Sequence, residues 1–385
     1  VTSEIEGGIC AVPGVRAGGL REGKNGLAVI LASGTAAGVF TRNKIRAAPV
    51  QVTEKHLTGS RLRGVIVNSG NANAFTGSRG IKDALAMADL LAEEIGCPPS
   101  EIAVASTGVI GQPLDLDWIK TRLPRVMESL DHKNSFAAAR AIMTTDTQPK
   151  QAAVELEDGT IIGGIAKGSG MIEPDMATML AFLYTNADLN QRELKKHLKE
   201  SVEKSFNMVV VDGDTSTNDM VLITATGENP TRPKRFQWGL DHLCRLLARK
   251  IAMDGEGATK LVTVQVTGAK SRLEAKKAAK AIVRSPLVKT AIYGCDPNWG
   301  RIIAALGRSG AEIQEDKISL TLGGTGRTAE VIKNGKPLQA TELAGIMSGE
   351  EVVIQLDLGL GTGKAEAWGC DLTPEYVKIN SEYTT

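Results

Sequence analysis

Histidine is scarce in this 385-residue chain. The four present are His56, His132, His197 and His242, and none stands in a glycine-rich turn. His197 and His242 fall on amphipathic helical patterns, as solvated or interfacial side chains do. A hydroxyl nucleophile in this protein therefore needs a base other than imidazole. Cysteine is equally thin as a signal. Cys10, Cys97, Cys244, Cys295 and Cys370 are odd in number, widely spaced and without a C-x-x-C pair. That pattern supports neither a disulfide framework nor a zinc site, and reduced thiols in a cytosolic compartment are expected. An excess of either charge is missing too. The net charge is +1, so no overall field recruits nucleic acid or an anionic membrane. Aromatic residues are 4% of the chain, with no basic tract among them, which leaves stacked-base recognition without support. No apolar run is long enough to span a bilayer. Residues 1–9 show neither the charged nor the apolar region of a secretory signal, and a cytoplasmic protein is expected.

What the chain does have is apolar content, 42%, ample for a large core. Its length makes two domains the default. Strand and helix patterns alternate between glycine-rich turns. A buried strand over 64–67 runs into a polar turn at 68–74. The spacing of Ala, Leu and Met predicts a helix over 81–95, and helices follow over 115–130 and 135–143. A short strand at 101–105 ends in Ser106-Thr107-Gly108. Strands over 152–157 and 160–166 flank an Asp158-Gly159 hairpin turn and deliver the chain to Lys167. After a strand over 178–184 come a charged helix (191–205), strands over 208–211 and 220–226 around the polar loop 212–219, and a helix over 236–253. From 259 the pattern restarts with a strand (261–266), a helix (273–283), another strand before Gly294 and a helix over 298–306. Hairpins end the chain, with 352–358 against 364–370. The expected domains are 1–258 and 259–385.

Two glycine-rich runs carry no chemistry. The run at 359–365 is similar in outline to a phosphate-binding loop, but Leu358 stands where its first glycine belongs and Ala365 replaces the Mg²⁺-holding hydroxyl. Gly323-Gly-Thr-Gly326 lacks a dinucleotide fingerprint. The run Lys167-Gly-Ser-Gly-Met-Ile-Glu-Pro-Asp-Met-Ala177-Thr178 is different. It is a glycine-rich turn that closes on a small residue, then a threonine, then an apolar strand. If the Ala177–Thr178 bond breaks, the α-amine of Thr178 can serve its own hydroxyl as base, and no histidine is required. Read as residue types alone, the same run also fits a loop feeding a core strand. Ser106-Thr107-Gly108 is either a strand-ending turn or a hydroxyl beside a backbone N–H that binds an oxyanion. Asp254-Gly-Glu256-Gly257 is either a solvated helix C-cap or a carboxylate presented to a cation.

Eight blocks decide among these readings: VNSGNANAFTG, STGVIGQPL, IMTTDTQPK, KGSGMIEPDMATMLAF, DGDTSTND, MDGEGATK, CDPNWGR and the terminal NSEYTT. In this order and over almost the whole chain, they resemble ornithine acetyltransferase, the bifunctional glutamate N-acetyltransferase family of arginine biosynthesis. The resemblance implies self-cleavage between Ala177 and Thr178 into an α chain, 1–177, and a β chain, 178–385. It implies Thr178 as the nucleophile that takes acetyl from N²-acetylornithine and passes it to glutamate in a ping-pong scheme. Thr107 and Gly108 match the family's oxyanion hole. Thr144, Lys167, Thr178, Glu256, Asn380 and Thr385 match its substrate contacts, with Lys167 toward a substrate carboxylate and Glu256 toward the ornithine ammonium.

The implied fold is α/β: a self-processing N-terminal-nucleophile-like layered sandwich (helix/sheet/sheet/helix) with a smaller C-terminal α/β domain whose tail returns to the active site. The implied assembly is α₂β₂. No cofactor or metal is called for, and family members differ in whether acetyl-CoA also serves as donor. A self-processed amidase or aminopeptidase on the same scaffold shares the nucleophile logic but needs no Lys167–Glu256–C-terminal set. A non-catalytic small-molecule binder predicts an intact chain.

Overall fold

Alternating apolar periodicities become alternating strands and helices in the computed structural model, which describes residues 2–173, 179–339, 343 and 345–382. In chain order these are β1 (Thr2–Ile5), β2 (Arg16–Glu22), β3 (Asn25–Phe40), α1 (Ala48–His56), β4 (Arg61–Asn71), α2 (Gly77–Ile95), β5 (Ile102–Val109), α3 (Leu116–Glu128), α4 (Ser135–Ala141), β6 (Lys150–Leu156), β7 (Ile161–Lys167), β8 (Leu180–Ala187), α5 (Gln191–Lys204), β9 (Val209–Val210), β10 (Met220–Asn229) and α6 (Pro233–Met253). They continue with β11 (Leu261–Ala269), α7 (Arg272–Val283), α8 (Pro286–Tyr293), α9 (Trp299–Gly307), β12 (Ser319–Gly324), β13 (Arg327–Lys333), β14 (Lys336–Pro337), β15 (Glu351–Asp357), β16 (Gly363–Cys370) and α10 (Pro374–Glu382). No helix among the described residues is long and apolar enough to cross a membrane.

Among the described residues the chain forms two compact units, one from residues up to Asn207 plus Asp214–Leu247, the other from Met208–Gly213 plus the described residues from Ala248 to Glu382. In the first, strands run in the order β1-β6-β7-β8-β10-β3-β4-β5, with β2 also paired to β3. The long strand β3 joins the two halves. Its N-terminal part pairs with β2 and β4, and its C-terminal part pairs with β10. The register slips between Leu31 and Gly34, where any Cβ on Gly34 would fall 2.1 Å from the Ala225 carbonyl oxygen.

Period-two alternation then sorts side chains by face. Ala28, Ile30, Val65 and Val67 from one half pack in a single core with Phe182 and Leu222 from the other. The opposite face, Leu27, Val29, Ile66 and Val104, is covered by Met87 and Leu91 of α2 and Leu123 of α3. On the far side, Leu243 and Leu247 of α6 lie over Gly164 of β7. The layers are therefore helix, sheet, sheet, helix, as the family resemblance implies. Burying each of the Val, Leu, Ile, Met and Phe side chains among these contributes about 1.5–3 kcal/mol.

The second unit holds a seven-stranded sheet, β14-β13-β12-β15-β11-β16-β9. Two expectations are corrected here. The stretch before Gly294 is helix α8, not a strand. The Ser285 hydroxyl accepts the Val288 N–H, and Pro286 occupies the first turn, where its missing N–H costs nothing. Strands β15 and β16 do not form a hairpin, because β11 lies between them, parallel to β15 and antiparallel to β16.

Candidate active site

In the first unit, Asp146 draws together two of the sequence blocks that carry the resemblance. Its Oδ2 accepts the Thr144 N–H at 3.0 Å and its Oδ1 the Gly168 N–H at 2.7 Å. The Lys150 ammonium donates to the same Oδ1 at 2.6 Å, with both side chains at most 2% exposed. Burial raises the Asp146 carboxyl, but the Lys150 and Lys167 charges and these hydrogen bonds outweigh it and hold the group well below the usual carboxylate range. Arg21 adds donors to the Met143 and Thr144 carbonyls, 2.5 and 3.3 Å away. The turn at 144–146 is thereby fixed to the end of β7.

Lys167 is the last residue of β7 and is buried. Its ammonium donates to the Thr107 hydroxyl near the end of β5, 3.1 Å away. Thr107, Thr144 and Lys167 are thus brought together, with Gly108 next in line. Gly108 has φ +132°, and a Cβ there would lie 2.3 Å from the Gly70 carbonyl carbon of β4. This position tolerates glycine alone. We expect Gly108→Ala to prise β5 from β4 and lower the melting temperature by several degrees, measured by calorimetry. An unchanged melting temperature would show that the strands separate at no cost.

The polar loop before β10 closes the same region. The Asn218 amide donates to the Ala72 and Ser106 carbonyls at 2.5 and 2.8 Å, tying the loop to the ends of β4 and β5. Asp219 is buried, and its Oδ2 has no hydrogen-bond partner among the described residues. Asp146, Lys150, Asn218 and Asp219 were not singled out from sequence. Each stands inside a block that carries the resemblance, and that was the available signal.

Glu256 and Asn380 belong to the second unit. Glu256 is buried and accepts the Asn380 amide at 2.8 Å, so it is not a solvated cap. Glycines on either side permit this. A Cβ on Gly255 would lie 2.7 Å from the Cys370 sulfur, and one on Gly257 (φ +68°) 2.5 Å from the Tyr376 nitrogen of α10. Ala177, Thr178 and Thr385 lie outside the described residues.

Two of the histidines differ from the solvated or interfacial reading: His56 and His197 are buried. His56 Nδ1 donates to the Ile102 carbonyl at 2.7 Å, and His132 Nδ1 to the Val15 carbonyl at 3.0 Å. All five cysteines are free, and no cluster of potential metal ligands occurs among the described residues.

Comparison with known proteins agrees with the order of the sequence blocks. The chain is 55% identical over 393 aligned positions to the glutamate N-acetyltransferase of Methanosarcina mazei, covering 99% of this chain and 100% of that protein. It is 47% identical to the arginine biosynthesis bifunctional protein ArgJ of Archaeoglobus fulgidus, covering 98% and 100%. Among solved structures, the ArgJ protein of Bacillus halodurans superposes with a TM-score of 0.49 at 43% identity, covering 52% of this chain and 98% of that one. The sequence pattern of the ArgJ family matches residues 12–385, and the chain is a member of that family.

Proposed function

We propose that this protein moves the acetyl group of N²-acetylornithine to glutamate in arginine biosynthesis. It first cuts itself between Ala177 and Thr178. The Thr178 hydroxyl attacks the Ala177 carbonyl carbon, the acyl group shifts from nitrogen to oxygen, and water hydrolyses the ester. The freed α-amine, with an ordinary pKa of about 7.7–8.0, then takes the hydroxyl proton as Thr178 attacks the acetyl carbonyl. Ornithine leaves, and the glutamate α-amine resolves the acyl-enzyme.

The observation that carries this reading is the hydrogen bond from Lys167 to Thr107. It sets a carboxylate-binding cation against the hydroxyl that, with the Gly108 N–H, serves the oxyanion. Thr144 contributes to the same subsite. Glu256, held by Asn380, receives the ornithine ammonium, and Thr385 completes the substrate contacts. The cut chains remain together as α₂β₂ in the cytoplasm.

The test pairs mass analysis with an acetyl balance. Fragments split at 177/178 and acetylglutamate formed one-for-one with ornithine support the reading. Acetate released without glutamate would make the protein an amidase instead. Running acetyl-CoA as donor beside acetylornithine decides whether the enzyme is bifunctional. We also expect Glu256→Gln to be cut normally while its KM for acetylornithine rises about tenfold, in line with loss of one charge-assisted contact of about 1.5–3 kcal/mol. An unchanged KM would remove Glu256 from the site.

A further inference from the structure

The ends of β4 and β5 hold the backbone around Thr107 on both sides. The Asn218 amide donates to the Ser106 carbonyl at 2.8 Å, and the Ser106 hydroxyl donates to Asn68 Oδ1 at 2.6 Å. Two residues beyond Thr107, the Val109 carbonyl accepts the Ala72 N–H at 2.9 Å. Lys167 is held as firmly. It pairs with Leu180 of β8, and Asp146 accepts the N–H of the next residue, Gly168, at 2.7 Å. With both backbones fixed, the direction of the Thr107 O–H bond is the freedom that remains.

One hydrogen bond decides that direction. An ammonium carries donors and no acceptor, whereas a hydroxyl has one proton and two lone pairs. The 3.1 Å contact between Lys167 Nζ and Thr107 Oγ1 therefore has a single sense: Lys167 donates and Thr107 accepts. The Thr107 proton must point away from Lys167. It meets no acceptor among the described residues, yet Thr107 is only 8% exposed. A buried polar hydrogen without an acceptor is uncommon, and an acceptor that arrives with the reaction accounts for it. The neighbouring positive charge also polarises the O–H bond and makes it a stronger donor.

We propose that Lys167 is a positioning residue for the oxyanion hole: it fixes and polarises the Thr107 hydroxyl as a donor to the acyl oxygen that becomes negative. This rests on the proposed acetyl transfer and adds a second task to the carboxylate contact. An ammonium has three donors, so one can stay on Thr107 while another meets a substrate carboxylate. Lys167 then acts on kcat as well as on binding, and its effect on kcat passes through the Thr107 oxygen.

The test is a double-mutant cycle on kcat with Lys167→Met, Thr107→Val and the two combined. Rates are taken per chain cut at 177/178, as read by intact mass. Lys167→Gln replaces the methionine variant in the cycle should that one be uncut or insoluble. Thr107→Val should lose about 10²–10³-fold in kcat, the usual effect of removing one oxyanion donor. Lys167→Met should lose about 10–100-fold in kcat, a part of that donor's effect, besides a raised KM. The combined variant is expected within about threefold of Thr107→Val alone, because Lys167 has no kcat contribution left once the hydroxyl is gone. A structural role would lower kcat whether or not the hydroxyl is present. Losses in kcat that multiply, or a Lys167→Met protein changed in KM only, overturn the proposal. Failure of the underlying reading looks different: the unmodified protein would then form no acetylglutamate from acetylornithine.

Discussion

The Thr178→Ala protein is expected to remain a single 385-residue polypeptide and to lose acetyl transfer by about 10⁴–10⁶-fold, the range seen when a covalent nucleophile is removed. One substitution removes two things. Without the hydroxyl there is nothing to attack the Ala177 carbonyl, so the chain is not cut. Without the cut there is no α-amine, and the rings of His56 and His132 are already bound to backbone carbonyls. Thr178→Ser retains a hydroxyl and should be cut and active. Denaturing electrophoresis, intact mass and an ornithine-release assay read all of this, with far-ultraviolet circular dichroism as the check on folding. Normal turnover by the uncut alanine variant would refute the mechanism.

Helix α2 was legible in the sequence because Ala84, Met87, Ala88 and Leu91 recur at helical spacing and Gly96, at φ +65°, ends it. The hairpin β6–β7 was legible from Asp158-Gly159, with the difference that the turn is longer than two residues: the Leu156 N–H reaches the Thr160 carbonyl. Strands β1 to β3 were not anticipated. Strand β3 reads NGLAVILASGTAAGVF, where glycine and alanine dilute the β-branched signal. Their value lies in close approach, as the Gly34–Ala225 contact shows, and approach distance is a tertiary property that no local pattern displays.

Pairing partners were hidden for the same reason. Strands β9 and β10 are neighbours in sequence yet belong to different sheets. A short linker between two apolar runs looks the same whether the runs pair or part. The site divides similarly. Thr107, Lys167 and Glu256 stand out because each sits beside glycine in a turn. Asp146 sits among ordinary polar residues, and its importance comes from burial with two cations, which only packing creates.

That packing makes Asp146→Asn the most damaging change expected among the described site residues. The carboxylate serves Lys150, two backbone N–H groups and, electrostatically, Lys167. An asparagine offers one oxygen and turns an NH₂ toward groups that are themselves donors. Breaking a buried ion pair from one side costs about 3–5 kcal/mol, a large part of the 5–15 kcal/mol that typically holds a protein folded.

Lys150→Met should cost less, because the carboxylate keeps both backbone donors and the field of Lys167. Chemical denaturation of the two variants checks this order, and equal losses would place the stability in the pair alone. The pH dependence distinguishes them from a simple packing defect. Because the folded-state carboxyl is held below its ordinary value, its contribution is complete above about pH 4 and fades as pH falls below that toward the folded-state value. The stability gap between the natural protein and Asp146→Asn should therefore be constant from pH 5 to 8 and narrow in stronger acid. A gap that stayed fixed as the pH fell through the acid range would mean that the Asp146 charge does not stabilise the fold.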